Sequence, residues 1–141
     1  MPEPCRVLVV EDEGLVALEI ETFLTGGGHE VVGTAADRAG ALALVRGARP
    51  DLALVDRCLS GGDSGLELAA DLSALGVSVL FVTGNCPEEE DGGAVARAVG
   101  CLHKPFDEGQ LLTAVAVATR LARGGPVPAG RLPSGLHLYR V

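Results

Sequence analysis

Several polar residues whose types suit phosphoryl chemistry each follow a short apolar run in this sequence. They are Asp12, Asp56, Thr83 and Lys104. A carboxylate that attacks phosphorus forms an acyl phosphate, and such a transfer depends mainly on positioning and charge. An ammonium group and a hydroxyl group can neutralise or hydrogen-bond the phosphoryl oxygens. We therefore predict that Asp56 is a nucleophile and that Thr83 and Lys104 bind the transferred group.

An acidic triplet, Glu11-Asp12-Glu13, follows the first apolar run. If Glu11 and Asp12 meet Asp56, three carboxylates crowd together and repel one another unless a cation joins them. Hard oxygen ligands with room for water suit magnesium better than zinc. The sequence thus predicts an Mg2+ cofactor, which can also bridge to a phosphoryl oxygen. Taken alone, the triplet could instead only stabilise a helix N-terminus.

The elements that must position these residues alternate along the chain. Apolar runs predict strands over residues 6–10, 31–35, 52–55, 77–82 and 101–103, and periodicity and capping signals predict helices over 15–24, 37–45, 64–75, 94–99 and 107–123. Such alternation predicts a parallel sheet with helices on both faces. We expect an α/β protein of flavodoxin-like, doubly wound (βα)5 type with a five-stranded parallel sheet. The polar residues then meet at its carboxyl edge, where such sheets bind ligands.

Composition limits the classes of protein that this chain can represent. Its 141 residues are 48% hydrophobic but only 3% aromatic, so the core must be built mainly from Val, Leu and Ala. The net charge of -8, with scattered basic residues, argues against direct nucleic-acid binding. No apolar run is long enough to cross a membrane and the N-terminus lacks a signal-peptide pattern, so we expect a cytoplasmic protein.

The end of the chain differs in composition from the rest. Residues 124–141 are rich in Gly and Pro and carry no periodicity. We therefore expect one domain over residues 1–123 and a loosely ordered tail over 124–141.

The cysteines offer no recognisable metal or redox motif. Cys5, Cys58, Cys86 and Cys101 form no Cys-x-x-Cys pair. In a reducing compartment we expect all of them to be free thiols.

Four segments of this chain together resemble the response-regulator receiver family. A Val-Val pair precedes Glu11-Asp12-Glu13, and a Leu-Val pair precedes Asp56. The later segments are Phe81-Val82-Thr83-Gly84 and Lys104-Pro105-Phe106. Each motif alone is common, but their order and spacing over about residues 5–121 are specific to the family.

The resemblance assigns roles by position. It implies that Glu11 and Asp12 hold Mg2+ and that the backbone carbonyl of Cys58 completes the metal shell. It implies that Asp56 is the phosphoacceptor and Thr83 the switch hydroxyl. Lys104 would be the phosphate-binding lysine, and the Pro105 that follows it would have a cis peptide bond.

Two departures from the family pattern concern how the domain switches. The family usually has Tyr or Phe where this chain has Cys101, so the usual aromatic switch is absent. The strand ending Phe81-x-Thr83-Gly84 is similar to a subclass of mainly single-domain receivers, which implies switching through the loop and helix after the fourth strand. In this chain that stretch, residues 85–93, is acidic and contains glycines, and we expect it to become ordered on phosphorylation or partner binding.

The resemblance implies signalling rather than turnover of a substrate. The chain would accept a phosphoryl group from a sensor histidine kinase or a histidine phosphotransfer protein and lose it slowly by self-catalysed hydrolysis. It would act on a downstream protein as a stand-alone domain, with no DNA-binding output domain and no contact with a membrane.

Other functions remain open at this point. The chain could be a receiver cut from a longer regulator, or an interaction module that works without phosphorylation. An aspartyl phosphatase of the haloacid dehalogenase type would need a second Asp two residues after the nucleophile, where this chain has Cys58.

Overall fold

The computed structural model describes residues 4–88, 98–127, 130 and 132–139. A sheet runs through the described part in the order β2-β1-β3-β4-β5-β6. Its strands are β1 (Arg6–Val10), β2 (Glu30–Ala35), β3 (Leu52–Val55), β4 (Ser78–Thr83), β5 (Gly100–His103) and β6 (Leu136–Leu138). The first five strands pair in parallel, and their order reverses beside β1. The predicted flavodoxin-like, doubly wound class is therefore confirmed.

Helices cover both faces of the sheet. Those described are α1 (Gly14–Gly26), α2 (Arg38–Ala48), α3 (Gly65–Ala74) and α4 (Glu108–Ala122). Buried residues of α2 and α3 belong to one core cluster, and those of α1 and α4 to a second. Alternate residues of each central strand enter the two clusters because successive side chains point to opposite faces. The core is built mainly from Val, Leu and Ala, as predicted, and Phe81 is its largest fully buried side chain.

Side-chain caps begin three of these helices at the predicted places. The Asp37 carboxylate accepts from the Gly40 amide, and Asp107 forms a reciprocal capping box with Gln110. The Ser64 hydroxyl accepts from the Leu66 amide. The sequence pattern Ser64-x-x-Glu67 predicts a second capping box at this helix, but Glu67 instead forms an ion pair with Arg38 of α2 at 2.9 Å. Arg38, which is distant in sequence, thus binds the Glu67 carboxylate that the local pattern had assigned to the helix N-terminus.

The tail supplies a sixth strand that the sequence pattern did not predict. Strand β6 pairs antiparallel with β5, with Cys101 opposite His137, and the Tyr139 amide donates to the Val99 carbonyl at 3.1 Å. The sheet is therefore six-stranded and mixed, and the expectation of a loosely ordered tail is wrong for residues 136–139. The physical reason is that β5 would otherwise be an edge strand with unpaired backbone groups, which a short extended segment can satisfy.

Some predicted features cannot be compared with the structure. Most of the helix predicted over 94–99, and most of the acidic stretch 85–93, lies outside the described residues.

Within the described ranges, no helix has both the length and the apolar character needed to cross a membrane.

Candidate functional site

The predicted site residues lie together at the carboxyl edge of the sheet. Glu11 follows β1, Asp56 follows β3, Thr83 ends β4 and Lys104 follows β5. The ammonium of Lys104 contacts Glu11 Oε1 at 2.5 Å and Asp56 Oδ2 at 2.9 Å. Because parallel strands end at the same edge, segments far apart in sequence deliver one compact group of charges.

An acidic cluster forms the centre of this site. One carboxylate oxygen from each of Glu11, Asp12 and Asp56 lies within 4.8 Å of the others. Glu11 and Asp56 are only 4% and 8% exposed, whereas Asp12 is exposed, so the cluster opens to solvent on the Asp12 side. A set of hard oxygen donors, crowded together with one open side, fits a divalent cation such as Mg2+ that keeps some of its water.

The environment of Asp56 favours its charged form. Burial raises the pKa of Asp56, but hydrogen bonds from the Lys104 ammonium and the Thr83 hydroxyl outweigh burial. The Cys58 amide also donates to Asp56 Oδ1 at 3.3 Å. The net result is a pKa below the usual value of an aspartic acid, so Asp56 is an unprotonated carboxylate at neutral pH.

Glu11 and Lys104 respond to burial in different ways. Burial raises the pKa of Glu11 to about 7, although the Lys104 ammonium partly opposes this rise. Burial lowers the pKa of Lys104, but its hydrogen bonds to Glu11 and Asp56 outweigh that effect and leave the pKa raised. Lys104 is therefore charged at neutral pH, and a cation at the cluster would favour the carboxylate form of Glu11.

Backbone contacts hold Thr83 and Lys104 in register with each other. The Lys104 amide donates to the Thr83 carbonyl at 3.1 Å, and the Thr83 hydroxyl accepts from the Asn85 amide at 3.3 Å. The peptide bond between Lys104 and Pro105 is cis, as the resemblance implied. The hydroxyl of Thr83 thus lies between the carboxylate of Asp56 and the segment that follows β4.

The turn after Asp56 depends on a glycine that the sequence analysis missed. The Gly65 amide donates to the Arg57 carbonyl at 2.8 Å, and Cys58 pairs with Ser64 in an isolated bridge. A Cβ atom at Gly65 would collide with the Asp56 backbone carbonyl. The only signal in the sequence was a glycine directly after the Ser64 cap. The predicted role of the Cys58 carbonyl as a metal ligand stays a prediction.

A disulfide at Cys101 contradicts the expectation that every cysteine is a free thiol. Cys86 and Cys101 form a disulfide with Cα atoms 5.9 Å apart, while Cys5 and Cys58 are free. Cys101 shares a core cluster with Phe81 and Tyr139, so the aromatic ring of Tyr139, which directly follows β6, lies near the position where the family has one on β5. Spacing along the chain gave no indication of this pair because the contact depends on how β4 and β5 pack.

Comparisons with known proteins agree with this geometry. A family model described as the response regulator receiver domain matches residues 7–116. The phyllosphere-induced regulator PhyR of Methylorubrum extorquens is 33% identical over 115 residues, which cover 80% of this chain and 43% of that protein. The transcriptional regulatory protein PdtaR of Mycobacterium tuberculosis is 30% identical over 121 residues, which cover 82% of this chain and 57% of that protein. The chain thus spans about half the length of these curated relatives.

Solved structures of response regulators and receiver domains have a fold similar to that of this chain. The signal receiver domain of a modulated diguanylate cyclase from Desulfovibrio desulfuricans superposes with a TM-score of 0.77 at 30% identity, covering 86% of this chain and 98% of that one. The response regulator PhyR from Brucella abortus superposes with a TM-score of 0.74 at 28% identity, covering 87% of this chain and 51% of that one.

Proposed function

We propose, from the premise that this chain belongs to the family of response regulator receiver domains, that Asp56 accepts a phosphoryl group from a histidine kinase or a histidine phosphotransfer protein. One observation carries the proposal. The Asp56 carboxylate is held in its charged form by Lys104 Nζ at 2.9 Å, within an acidic cluster that suits a divalent cation. A nucleophile, a cationic partner and a cation site are thus adjacent.

The proposed reaction divides the work among these residues. A carboxylate oxygen of Asp56 attacks phosphorus as the bond from phosphorus to the donor nitrogen or oxygen breaks, and the product is an aspartyl phosphate. Lys104 and Thr83 bind phosphoryl oxygens, and both already contact Asp56 before the reaction. Glu11, Asp12 and Asp56, with the Cys58 carbonyl, would hold Mg2+, which would supply positive charge to the phosphoryl oxygens.

The family context favours regulation over turnover. Receiver domains and their relatives are regulators rather than classical enzymes. In an aspartyl phosphatase a second carboxylate protonates the leaving group, but this chain has the Cys58 thiol two residues after Asp56. We propose that hydrolysis of the aspartyl phosphate is slow and self-catalysed. Action as a stand-alone domain stays a prediction.

Contact with a partner protein is supported by the surface beside the site. Leu15 and Leu18, in the first turns of α1 next to Asp12, are 84% and 57% exposed. Exposed leucines beside a reactive group suit a protein partner that covers them during phosphoryl transfer. The net charge of -8 supports a protein rather than a nucleic-acid partner.

Phosphorylation by a small donor tests the proposal without knowledge of the kinase. The protein would be incubated with acetyl phosphate and Mg2+, and intact-protein mass spectrometry would count the phosphoryl groups gained. We expect one group on the natural chain, none on Asp56→Asn, and none when EDTA removes the metal. Glu19→Gln, on the exposed surface of α1, is the matched carboxylate-to-amide control and should gain one group.

Two outcomes would overturn the proposal. Equal phosphorylation of the natural chain and Asp56→Asn would mean that another residue is the acceptor. A folded natural chain that gains no group at any donor concentration would favour the alternative in which the domain binds partners without phosphorylation.

A further inference from the structure

A disulfide joins the segment that follows β4 to the neighbouring strand β5. It links Cys86 to Cys101, whose Cα atoms are 5.9 Å apart, within the range that a disulfide spans without backbone movement. We propose that this pair is a reversible oxidation site, which fastens residues 84–88 to β5 when oxidised and releases them when reduced. This inference goes beyond the proposed phosphoryl transfer and does not depend on it.

The two sulfurs differ in their access to solvent. Cys101 is fully buried in the core, whereas Cys86 is only partly buried. Cys86 also lines an open cleft of about 550 Å3 together with His103 and His137. A small oxidant or reductant in the cleft therefore reaches Cys86 first, and Cys101 is the resolving thiol. Among the other cysteines, Cys5 is buried and Cys58 is exposed, and both are free.

Hydrogen peroxide, a two-electron oxidant, balances the oxidation. The Cys86 thiolate attacks one peroxide oxygen, the O–O bond breaks, and a sulfenic acid and hydroxide are formed. The Cys101 thiol then attacks the Cys86 sulfur, and the sulfenic oxygen leaves with two protons as water. In the reverse direction one thiol of a dithiol attacks the Cys86 sulfur, which forms a mixed disulfide and releases Cys101 as a thiol. The second thiol then attacks the reductant sulfur of that mixed disulfide, closes the reductant's own disulfide and releases Cys86 as a thiol.

The segment that this disulfide fastens also contacts the phosphoryl site. The Asn85 amide donates to the Thr83 hydroxyl, and the Tyr139 hydroxyl donates to the Pro87 carbonyl at 2.6 Å. Cys86 follows Thr83 by three positions, and Cys101 precedes Lys104 by three. Reduction would remove the covalent tie and leave non-covalent contacts to hold the segment beside Thr83. These contacts include the two hydrogen bonds above and one from the Arg57 guanidinium to the Asn85 carbonyl at 3.5 Å.

Peptide mapping and hydrogen exchange test the proposal together. The full chain would be treated with hydrogen peroxide, or with dithiothreitol after peroxide, and then digested without reduction using trypsin and a Glu-specific protease. We expect a peptide cross-linked between Cys86 and Cys101 after peroxide and its loss after dithiothreitol. Cys58→Ser should keep the cross-link, while Cys86→Ser and Cys101→Ala should lose it.

Amide exchange reports what the cross-link does to the segment. We expect exchange over residues 84–88 to be about tenfold faster in the reduced chain, with exchange in β1 and β3 unchanged, because removing a tie lowers the cost of local opening. In Cys86→Ser the rate should be insensitive to peroxide. Absence of the cross-link after peroxide, its persistence in dithiothreitol, or equal exchange in both states would each overturn the proposal. No phosphodonor is present, so failure here is distinct from failure of the proposed phosphoryl transfer.

Discussion

Lys104 joins two buried carboxylates at the candidate site. Its ammonium lies 2.5 Å from Glu11 Oε1 and 2.9 Å from Asp56 Oδ2, and only 19% of its side chain is exposed. Burying charges is costly unless they are paired, so each member of this group depends on the others. In the proposed reaction the same ammonium would also contact a phosphoryl oxygen, because it already lies beside the nucleophile.

Replacement of Lys104 by methionine keeps the length of the side chain and removes the charge. For Lys104→Met we expect phosphorylation by acetyl phosphate to slow by about a hundredfold, the usual effect of removing one preorganised donor to a developing charge. Initial rates measured by mass spectrometry provide the test, and Lys104→Arg serves as the charge-conserving control. A Lys104→Met rate equal to that of the natural chain would exclude a role for this ammonium.

His29 is a buried residue that makes stability depend on pH. Its Nδ1 accepts a hydrogen bond from the Cys5 amide at 3.1 Å, and burial lowers the pKa of His29 below its usual value. The unfolded chain therefore takes up a proton more readily than the folded chain as pH falls below about 6.5. The stabilisation is complete above that pH and is lost as pH falls from 6.5 through the lower pKa of the folded state.

His29→Asn isolates this effect, because the asparagine side-chain oxygen can accept the same hydrogen bond but does not titrate. Between pH 7 and pH 5 we expect the natural chain to lose more unfolding free energy than His29→Asn. Urea denaturation at a series of pH values measures how the unfolding free energy of each protein changes with pH. Above pH 7 this pH dependence should be the same for the two proteins. Parallel pH curves for the two proteins would contradict the prediction.

At the scale of elements, the junction between β3 and α3 positions Asp56. Helix α3 begins at Gly65, whose backbone packs so closely on the Asp56 carbonyl that a Cβ atom has no room. The helix is tied to α2 by the guanidinium of Arg38, which contacts Asp71 and Glu67. Asp56, the proposed phosphoacceptor, is thus held both by its strand and by the helix that follows.

Gly65→Ala should therefore disturb stability and the site together. We expect a loss of about 1 to 3 kcal/mol of unfolding free energy from the collision, with slower phosphorylation of Asp56. Gly47→Ala is the control, because Gly47 lies in α2 with open space around its Cβ position and should gain about 0.5 to 1 kcal/mol. Denaturant titration measures the unfolding free energy of both variants. A Gly65→Ala protein as stable as the Gly47→Ala protein would contradict the predicted collision.

At the scale of the molecule, β6 completes the sheet beyond β5. Tyr139, only 4% exposed, belongs to the same core cluster as Phe81 and Cys101. Its ring lies in edge contact with His137, with centroids 5.1 Å apart. The segment that looked like a tail from its composition therefore contributes both backbone pairing and apolar burial to the domain.

Removal of residues 124–141 should consequently destabilise the domain. We expect a loss of about 3 kcal/mol or more, the usual cost of removing a buried aromatic side chain, together with an exposed β5 edge that promotes aggregation. Tyr139→Phe, which keeps the ring and removes the bond to the Pro87 carbonyl, should cost only about 1 kcal/mol. Unfolding curves and size-exclusion profiles would test this, and a truncated chain of natural stability would restore the predicted boundary at residue 123.

The sequence by itself determined the parallel sheet and the place of the candidate site. Alternating apolar runs and helical patterns are local signals, and a polar residue directly after a strand must lie at the carboxyl edge. The sequence therefore predicted that Asp56 and Lys104 lie close together, although they are far apart along the chain. The switch role of Thr83 and the metal-binding role of the Cys58 carbonyl came from family resemblance and remain predictions.

Only the tertiary structure decided the features that join distant segments. The Cys86–Cys101 disulfide, the pairing of β6 with β5, the Arg38 ion pair of Glu67 and the contact of Gly65 with Asp56 are all set by distances across packed elements. No local pattern encodes such distances, because they depend on how strands and helices pack after the chain has folded. The residues of the candidate phosphoryl site were thus evident from sequence, whereas the cysteine pair and the contacts that hold the site were not.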